Sequence, residues 1–325
     1  MKAVLCKQWG PPDSLVVEDL PDVAPGPGEV AIDVYAAGVN FPDVLIIQNK
    51  YQTKPALPFV PGSELAGVVR ALGDGVTQYQ VGDRVVAFIG HGAFAQQVCV
   101  PAQIVLPIPP EMDFDTAAAM TLTYSTSYHA VVDRAQIKAG ETMLVLGAAG
   151  GVGLAAIEIG RAMGARIIAA ASSDEKLEVC RQHGADATIN YSTQDLREAI
   201  KATTDGRGPD VIFDPVGGSY TEPAFRSIGW RGRHLVVGFA NGEIPRLPLN
   251  LTLLKSASVV GVYWGEFAKR EPQANMQAMQ QLLSWLNEGK IRPHISGRYP
   301  LADTARALKD MAARKVTGKV IIQPR

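Results

Sequence analysis

The chain has 325 residues, of which 47% are hydrophobic and 19% charged, and its formal net charge is −1. These values are those of a soluble globular protein long enough for two domains, and they exclude an intrinsically disordered chain. The balanced charge argues against nucleic acid or an anionic membrane as a partner. We also expect a cytoplasmic protein, because the chain shows no signal-peptide pattern, no run long enough to span a membrane, and only three well-separated cysteines, Cys6, Cys99 and Cys180.

Up to about residue 120 the chain alternates short β-type runs with turns that are rich in glycine and proline. The runs lie at 30–35, 64–69 and 84–88, and the turns include 25–28 and 61–62. Short strands separated by such turns predict a compact, barrel-like β domain. From residue 115 the pattern becomes helical and leads into the next region.

A strand, a glycine-rich turn and a helix follow one another in the middle of the chain. The apolar run 142–146 precedes Gly-Ala-Ala-Gly-Gly-Val-Gly at 147–153, and a helical pattern follows. In this context a G-x-G-x-x-G pattern predicts dinucleotide binding, although an ordinary tight turn is the alternative. Gly150 lets the backbone approach a pyrophosphate, and Gly153 lets the helix pack on the strand, with its N-terminus facing the phosphates. Ala148 replaces the first glycine, which is tolerable if its φ is negative.

After this unit, apolar strands and helices alternate. The predicted strands are 166–170, 187–189, 211–213, 234–237 and 258–262, and the predicted helices are 174–183 and 194–201. Apolar strands separated by helices indicate parallel strands that are covered on both faces. We therefore predict a doubly wound sheet, with its ligand beyond the carboxyl ends of the strands.

The last sixty residues revert to helices followed by a strand. Apolar residues at 276–286 mark an amphipathic helix, and a second helix near 304–311 leads into a strand at 319–322. Such a tail is too short for a comfortable domain of its own, so we expect it to pack on the first domain. The prediction is a catalytic domain of residues 1–122 and 265–325, into which a dinucleotide-binding domain of residues 123–264 is inserted.

Three segments together resemble the zinc-independent quinone oxidoreductases, the zeta-crystallin group of the medium-chain dehydrogenase/reductase superfamily. They are Ala-Ala-Gly-Val-Asn-Phe-Pro-Asp at 36–43, Pro-Gly-Ser-Glu-Leu-Ala-Gly at 61–67 with Gly-Asp-Arg-Val at 82–85, and the stretch 140–153. The resemblance spans nearly the whole chain, and it implies a Rossmann sheet inserted into a GroES-like β-barrel domain. One departure is Glu158, where the family usually has glutamine, and we expect this side chain to face outward.

The superfamily's alcohol dehydrogenases hold a catalytic zinc through an early cysteine, a histidine in a Gly-His-Glu motif and a later cysteine. Here Asn40 and its neighbours provide no thiol, and Ser63 stands where the histidine would be. Three cysteines cannot form a four-cysteine structural site, and the five histidines show no ligand spacing. The sequence therefore predicts no metal, and it disfavours alcohol oxidation, which uses a Lewis acid.

The second predicted strand ends without the carboxylate that binds the ribose of NAD. Ser172, Ser173 and Lys176 stand there instead, and the resemblance adds Tyr191 after the next strand; together they favour NADPH over NADH. Taken singly, the lysine could be a solvated helix residue and the tyrosine a rim aromatic. The other expected cofactor contacts are Ala149, Gly150, Gly151, Val152, Gly153, Val216, Gly238, Phe239, Ala240, Val262, Tyr263 and Trp264.

The resemblance places four residues at the nicotinamide end: Asn40, Asp43, Tyr51 and Thr126. An asparagine can donate and accept hydrogen bonds without charge, although Asn40 could simply cap the next helix. Tyr51 is the first candidate for proton donor, because a phenol with a pKa of about 10 is protonated at neutral pH; packing is its alternative role. Thr126 could instead be an ordinary helix-surface residue.

Three functions remain open at this point. The first is an NADPH-dependent, zinc-free reductase of quinones, and the second is an alkene reductase acting on enones, enals or enoyl thioesters. The third is a non-catalytic NADPH-binding protein of the crystallin kind. We expect a small-molecule substrate. The family resemblance implies a homodimer, in which the strand 258–262 pairs with its copy across a two-fold axis.

Overall fold

The computed structural model describes residues 1–325, which form two compact units. The first unit comprises Met1–Leu122 and His294–Arg325, and the second comprises Thr123–Pro293. The predicted domains change over after residues 122 and 264, and these compact units change over after residues 122 and 293. The long helix Pro272–Asn287 belongs to the second unit, where its Met279 Sδ accepts a hydrogen bond from Ser125 Oγ at 2.8 Å.

The elements are numbered in chain order. Up to the boundary they are β1 (Lys2–Leu5), β2 (Val16–Asp19), β3 (Glu29–Val39), α1 (Phe41–Ile46), β4 (Glu64–Leu72), β5 (Arg84–Phe88), β6 (Gln97–Pro101), β7 (Val105–Pro107) and α2 (Phe114–Tyr128), which crosses it. The second unit continues with a π-helical turn (His129–Arg134), β8 (Thr142–Leu146), α3 (Gly151–Ala162), β9 (Arg166–Ala171), α4 (Asp174–Gln182), β10 (Ala187–Asn190), α5 (Leu196–Thr203), β11 (Val211–Asp214), α6 (Thr221–Arg226), β12 (Arg233–Val236), α7 (Asn250–Lys255), β13 (Ser258–Gly261), α8 (Trp264–Arg270) and α9 (Pro272–Asn287). The tail contains β14 (Ile295–Pro300), α10 (Thr304–Ala312) and β15 (Lys319–Gln323).

A seven-stranded sheet organises the first unit, in the order β14-β15-β3-β4-β5-β7, with β6 also pairing with β3. The pairs are antiparallel except for β14 with β15. The two longest strands pack tightly, because a Cβ at Gly67 of β4 would lie only 2.1 Å from the Asp33 carbonyl oxygen of β3. The sheet brings β15, from the end of the chain, beside the end of β3, where the first segment of the resemblance lies.

The second unit contains a six-stranded sheet in the order β10-β9-β8-β11-β12-β13, and every pair in it is parallel. Its central strands are buried on both faces, as their continuous apolar sequences predict. The strand order reverses between β8 and β11, which makes the carboxyl ends of these strands a topological switch point. The predicted fold class, a doubly wound sheet joined to a β-rich domain, is therefore confirmed.

No helix of the chain combines the length and the apolar character that crossing a membrane requires. All three cysteines are free thiols, with Cys6 and Cys180 buried.

Candidate functional site

The glycine-rich turn connects β8 to α3 as predicted. Gly147 has a φ of 57°, and Gly150 is the extended N-cap residue of α3. At Gly153 an added Cβ would lie 2.6 Å from the carbonyl oxygens of Gly147 and Ala148, so the helix packs directly on the turn. At Gly150 it would meet only the Gly147 oxygen, at 3.4 Å. The turn thus leaves no room for a side chain at Gly153 but has space at Gly150. The first N–H groups of α3 begin there, and they have no hydrogen-bond partner within the helix.

Three predicted residues after β9 are connected by hydrogen bonds. Ser173 is the N-cap of α4, and its hydroxyl accepts from Lys176 N at 3.4 Å. The Lys176 ammonium donates to Ser172 Oγ at 3.3 Å, so one cation and two hydroxyls share the tip of this strand.

Tyr191 follows the neighbouring strand β10 and lies beside the same tip. Its backbone N–H donates to the Ala171 oxygen at 3.2 Å, one residue before Ser172. Its ring packs on Tyr220, with 4.5 Å between the ring centres. Two carboxylates follow this tip. Asp174 accepts a hydrogen bond from Asn190 Nδ2 at 2.9 Å, and a hydrogen bond with Ser173 lowers the pKa of Glu175. The structure therefore brings all four residues of the predicted NADPH set together, with Tyr220 as an aromatic neighbour that sequence reasoning missed.

The loop after β11 is built on Asp214. Its Oδ1 accepts from the N–H groups of Val216 at 2.9 Å and Gly217 at 2.8 Å, and its Oδ2 accepts from Thr221 Oγ1 at 2.6 Å. Burial alone would raise the pKa of Asp214. The hydrogen bond and the charge of His234, together with the Gly217 and Thr221 donors, have a larger opposite effect, so the pKa of Asp214 is lowered. A charged anchor of this kind holds Val216 in place.

The loop after β12 lies against the Asp214 loop. Ala240 N donates to the Pro215 oxygen at 3.0 Å, and Asn241 N donates to the Val216 oxygen at 2.8 Å. Gly238, Phe239 and Ala240 thus lie next to Val216, at the carboxyl ends of adjacent strands, as predicted.

The three residues predicted after β13 differ in their surroundings. Val262 continues the sheet by donating to the Val236 oxygen at 3.0 Å, and Tyr263 is exposed. Trp264 is buried, and its indole N–H donates to Asn275 Oδ1 at 2.9 Å. Trp264 therefore packs within the second unit against the start of α9, which makes it a support of this loop.

In the first unit, Asn40 and Asp43 lie where β3 ends and α1 begins. Asn40 N donates to Asp43 Oδ2 at 2.8 Å, which is one half of a capping box at the start of α1. Both side chains are buried, Asp43 completely. Burial raises the pKa of Asp43 to about 7, against the lowering effects of the Asn40 N–H and the Lys319 charge. A carboxyl with this pKa can hold or release a proton near neutral pH.

Two charged residues that sequence reasoning missed surround Asn40. The Lys319 ammonium donates to Asn40 Oδ1, and Asn40 Nδ2 donates to Glu64 Oε1 at 2.7 Å. Each is a charge at the first position of a strand, Glu64 in β4 and Lys319 in β15, and both strands pair with β3. A charge directly before the apolar run of each strand was the signal available in the sequence.

Tyr51 and Thr126 are each partly buried, in different units. Tyr51 follows α1 and packs against the apolar core of the first unit, which agrees with the packing role considered for it. Thr126 lies in the part of α2 that belongs to the second unit. Their roles at the nicotinamide end stay predictions.

The expectation for Glu158 was wrong. Its side chain is buried, and its carboxylate accepts hydrogen bonds from Tyr124 OH at 2.6 Å and from Arg292 N at 2.9 Å, while His183 Nδ1 lies 2.6 Å away. Burial raises the pKa of Tyr124 well above its usual value, and the Glu158 charge adds to the effect. The residue faces inward because these three groups satisfy its charge; they lie on α2, directly after α4 and in the segment after α9.

Comparisons with known proteins agree with this architecture. A model of the alcohol dehydrogenase GroES-like domain matches residues 26–110, and a zinc-binding dehydrogenase model matches residues 151–285. The chain is 39% identical to a quinone oxidoreductase-like protein 2 homolog from Nematostella vectensis, over 99% of this chain and 88% of that protein. It is 35% identical to a quinone oxidoreductase from Pseudomonas aeruginosa, over 99% of each. The structure of Escherichia coli quinone oxidoreductase complexed with NADPH matches with a TM-score of 0.94 and 29% identity, over 100% of both chains.

The residues of this chain do not fit the zinc that the second of these models names. No group of three or more His, Cys, Asp or Glu side chains is arranged to hold a metal ion. The Asn40 amide oxygen is bonded to the Lys319 ammonium, and Ser63 offers a hydroxyl where zinc would need imidazole or thiolate.

Proposed function

Because the chain is an oxidoreductase that belongs to the quinone oxidoreductase family of the medium-chain dehydrogenase/reductase superfamily, we propose that it uses NADPH to reduce quinones. The observation that carries the proposal is the grouping of Ser172, Ser173, Lys176 and Tyr191 at the tip of β9, with no carboxylate at the end of that strand. An ammonium and hydroxyl groups suit a ribose 2′-phosphate, whereas NAD sites use an acidic residue there.

The rest of the coenzyme fits the second unit. The open backbone above Gly150 and the N-terminus of α3 would hold the pyrophosphate. The loops that carry Val216 and Ala240 would hold the nicotinamide half, since they follow the strands beyond the switch point. The match to the Escherichia coli enzyme complexed with NADPH supports this assignment. When bound, NADPH supplies a hydride to the acceptor, and the protein supplies orientation and electrostatics.

Four side chains would then serve the nicotinamide end: Asn40, Asp43, Tyr51 and Thr126. Tyr51 would donate a proton or a hydrogen bond to a quinone oxygen, and the Thr126 hydroxyl would lie beside the nicotinamide. The Asn40 oxygen accepts from Lys319, and the Asn40 amide nitrogen donates to Glu64 and, at 3.4 Å, to the Gly38 oxygen. A hydrogen bond from Asn40 to the acceptor would therefore replace the long bond to Gly38.

The test is NADPH oxidation measured against a panel of quinones and a panel of enones, with Tyr51→Phe as a matched variant. We expect turnover with quinones, and a fall in turnover of roughly 100-fold in Tyr51→Phe with little change in NADPH affinity. Turnover with enones alone would replace quinone reduction by alkene reduction. Binding of NADPH without turnover on either panel would contradict both.

We also propose a homodimer formed through β13. This strand is the free edge of the parallel sheet, and its Val259 is exposed. Leu253 and Leu254 of the preceding helix are exposed as well, so the edge continues into an apolar surface. Pairing of two copies of β13 across a two-fold axis would cover both features. Solution scattering should give twice the chain mass of 34.7 kDa, and Val259→Lys should return it to the monomer value. A monomer mass for the unmodified protein at micromolar concentration would contradict the dimer.

A further inference from the structure

We propose that the buried ion pair of Lys319 and Glu64 is a positioning device, which holds the Asn40 amide in one orientation and sets the charge around Asp43. The proposal rests on the proposed function, in which Asn40 and Asp43 serve the nicotinamide end. Neither charged residue would itself touch the coenzyme or the acceptor. Their effect would pass through Asn40 and Asp43.

The Lys319 ammonium is enclosed by acceptors. It lies 2.6 Å from Glu64 Oε1, 2.6 Å from Asn40 Oδ1 and 3.1 Å from the Val39 oxygen, so its three N–H groups each have one partner. The residue is 2% exposed. An ammonium in this setting cannot reorient without breaking a buried, charge-assisted hydrogen bond.

Glu64 is equally constrained. Its Oε1 accepts from both Lys319 and Asn40, and its Oε2 accepts from Leu122 N at 2.7 Å. A Cβ on Gly38 would lie 2.3 Å from Glu64 Oε1, so only glycine leaves room for the carboxylate. The carboxylate is therefore held by three donors and by the surface of β3.

These contacts determine the orientation of the Asn40 amide. The amide oxygen faces the Lys319 ammonium and the amide nitrogen faces the Glu64 carboxylate. A flip of the amide would therefore place its N–H groups against the ammonium and its oxygen against the carboxylate. Buried ion pairs add little stability compared with apolar residues of similar size, and such pairs are best attested as devices of conformational specificity. The pair at Asn40 has the geometry of such a device.

Asp43 lies in the same cluster. The charged and polar groups that face it are Lys319 on β15, Glu64 on β4, and Asn40 and Ser63 beside it. Burial has the largest influence on the pKa of Asp43 and raises it, and the Asn40 N–H lowers it. The Lys319 charge also lowers this pKa, whereas the Glu64 charge raises it. Asp43 Oδ1 and Ser63 Oγ are both buried and lack a hydrogen-bond partner of good geometry.

The experiment compares Lys319→Met, Glu64→Gln, the double variant and Lys309→Met. Lys309 is the control, since it forms an exposed ion pair with Asp13 in the same unit. For each protein three quantities are measured: the thermal midpoint, the pH profile of kcat with KM for NADPH, and the titration of the Asp43 carboxyl by ¹³C NMR, assigned with Asp43→Asn.

We expect both single variants to lower the thermal midpoint and the double variant to recover most of that loss, because it removes both buried charges. We expect kcat to fall by about tenfold or more in all three, with KM for NADPH changed less than about threefold, since an unlocked amide affects the reaction and not coenzyme binding. The Asp43 midpoint should rise in Lys319→Met and fall in Glu64→Gln. Lys309→Met should change none of these quantities.

Recovery of kcat together with thermal stability in the double variant would overturn the proposal, because the pair would then be only structural. An unchanged Asp43 midpoint in both single variants would overturn it as well. If Lys319→Met does not fold, the kcat of the double variant and the Asp43 midpoint in Glu64→Gln test the proposal. If the unmodified protein turns over neither quinones nor enones, the proposed function fails, and the Asp43 titration alone decides whether the ion pair controls this carboxyl.

Discussion

The two units build their candidate sites from different materials. In the second unit the site consists of backbone and small side chains: a glycine turn, two loops tied by main-chain hydrogen bonds, and short hydroxyl residues around one lysine. In the first unit it consists of buried charge, with Glu64, Lys319 and Asp43 around a single amide. A site made of backbone groups follows from the geometry of the fold. A site made of buried charges requires each charged group to find its hydrogen-bond and ion-pair partners among the others. The two should therefore respond differently to pH and to substitution.

The largest expected effect concerns pH and the first unit. The folded-state pKa of Asp43 is about 7, above its ordinary value of 3.8, so the native state binds the proton more tightly than the unfolded state. The contribution of Asp43 to the free energy of unfolding is fully present below about pH 4 and is lost as pH rises to about 7. The size of this contribution is at most about 4 kcal/mol. Asp43→Asn should remove this dependence.

Urea unfolding at a series of pH values measures that effect. The free energy of unfolding of the unmodified protein should carry a component, absent from Asp43→Asn, that decreases between about pH 4 and pH 7. Identical pH profiles for the two proteins would contradict a pKa of Asp43 that burial raises in the folded protein.

In the second unit, glycines at two neighbouring positions should separate folding from binding. Gly153→Ala places a Cβ 2.6 Å from two carbonyl oxygens and should cost about 1–3 kcal/mol of unfolding free energy, with loss of NADPH binding. Gly150→Ala meets only one atom, at 3.4 Å, so it should leave stability nearly unchanged and weaken NADPH alone. Thermal unfolding and coenzyme titration check both. Equal NADPH affinity in Gly150→Ala and the unmodified protein would argue against phosphate binding at this turn.

A smaller effect should distinguish the two coenzymes. Lys176→Ala should weaken NADPH by about 1–3 kcal/mol and leave NADH nearly unchanged, because only NADPH carries the phosphate that the ammonium would pair with. Lys201→Ala, in the last turn of α5, is the control. Equal losses for NADPH and NADH would remove Lys176 from this role.

The smallest expected effect lies at Glu158. Glu158→Gln keeps the side chain's shape but removes the charge that Tyr124, His183 and the Arg292 N–H share, and it should cost about 1 kcal/mol of unfolding free energy. Chemical denaturation measures this cost. A gain in stability would show that the glutamine usual in the family fits this pocket better than the charged residue.

The second unit was more predictable from the sequence than the first, and the reason is physical. Glycine turns and apolar strands follow local rules, so the strand–turn–helix unit around Gly150 and the parallel sheet could be read from short windows. Lys319 and Glu64 are 255 residues apart, and only the register of the sheet brings them to Asn40. Glu158 was misjudged for a similar reason, since its partners come from three other segments. The amphipathic pattern of α9 shows that one face of the helix is buried, but not which unit covers it, so the sequence alone does not assign this helix to a unit.

Calorimetric titration of the unmodified protein with NADPH and with NADH measures the coenzyme preference directly. We expect NADPH to bind about tenfold or more tightly than NADH, because NADPH offers a 2′-phosphate to Lys176 and NADH does not. Tighter binding of NADH, or no heat with either coenzyme, would contradict the proposed use of NADPH.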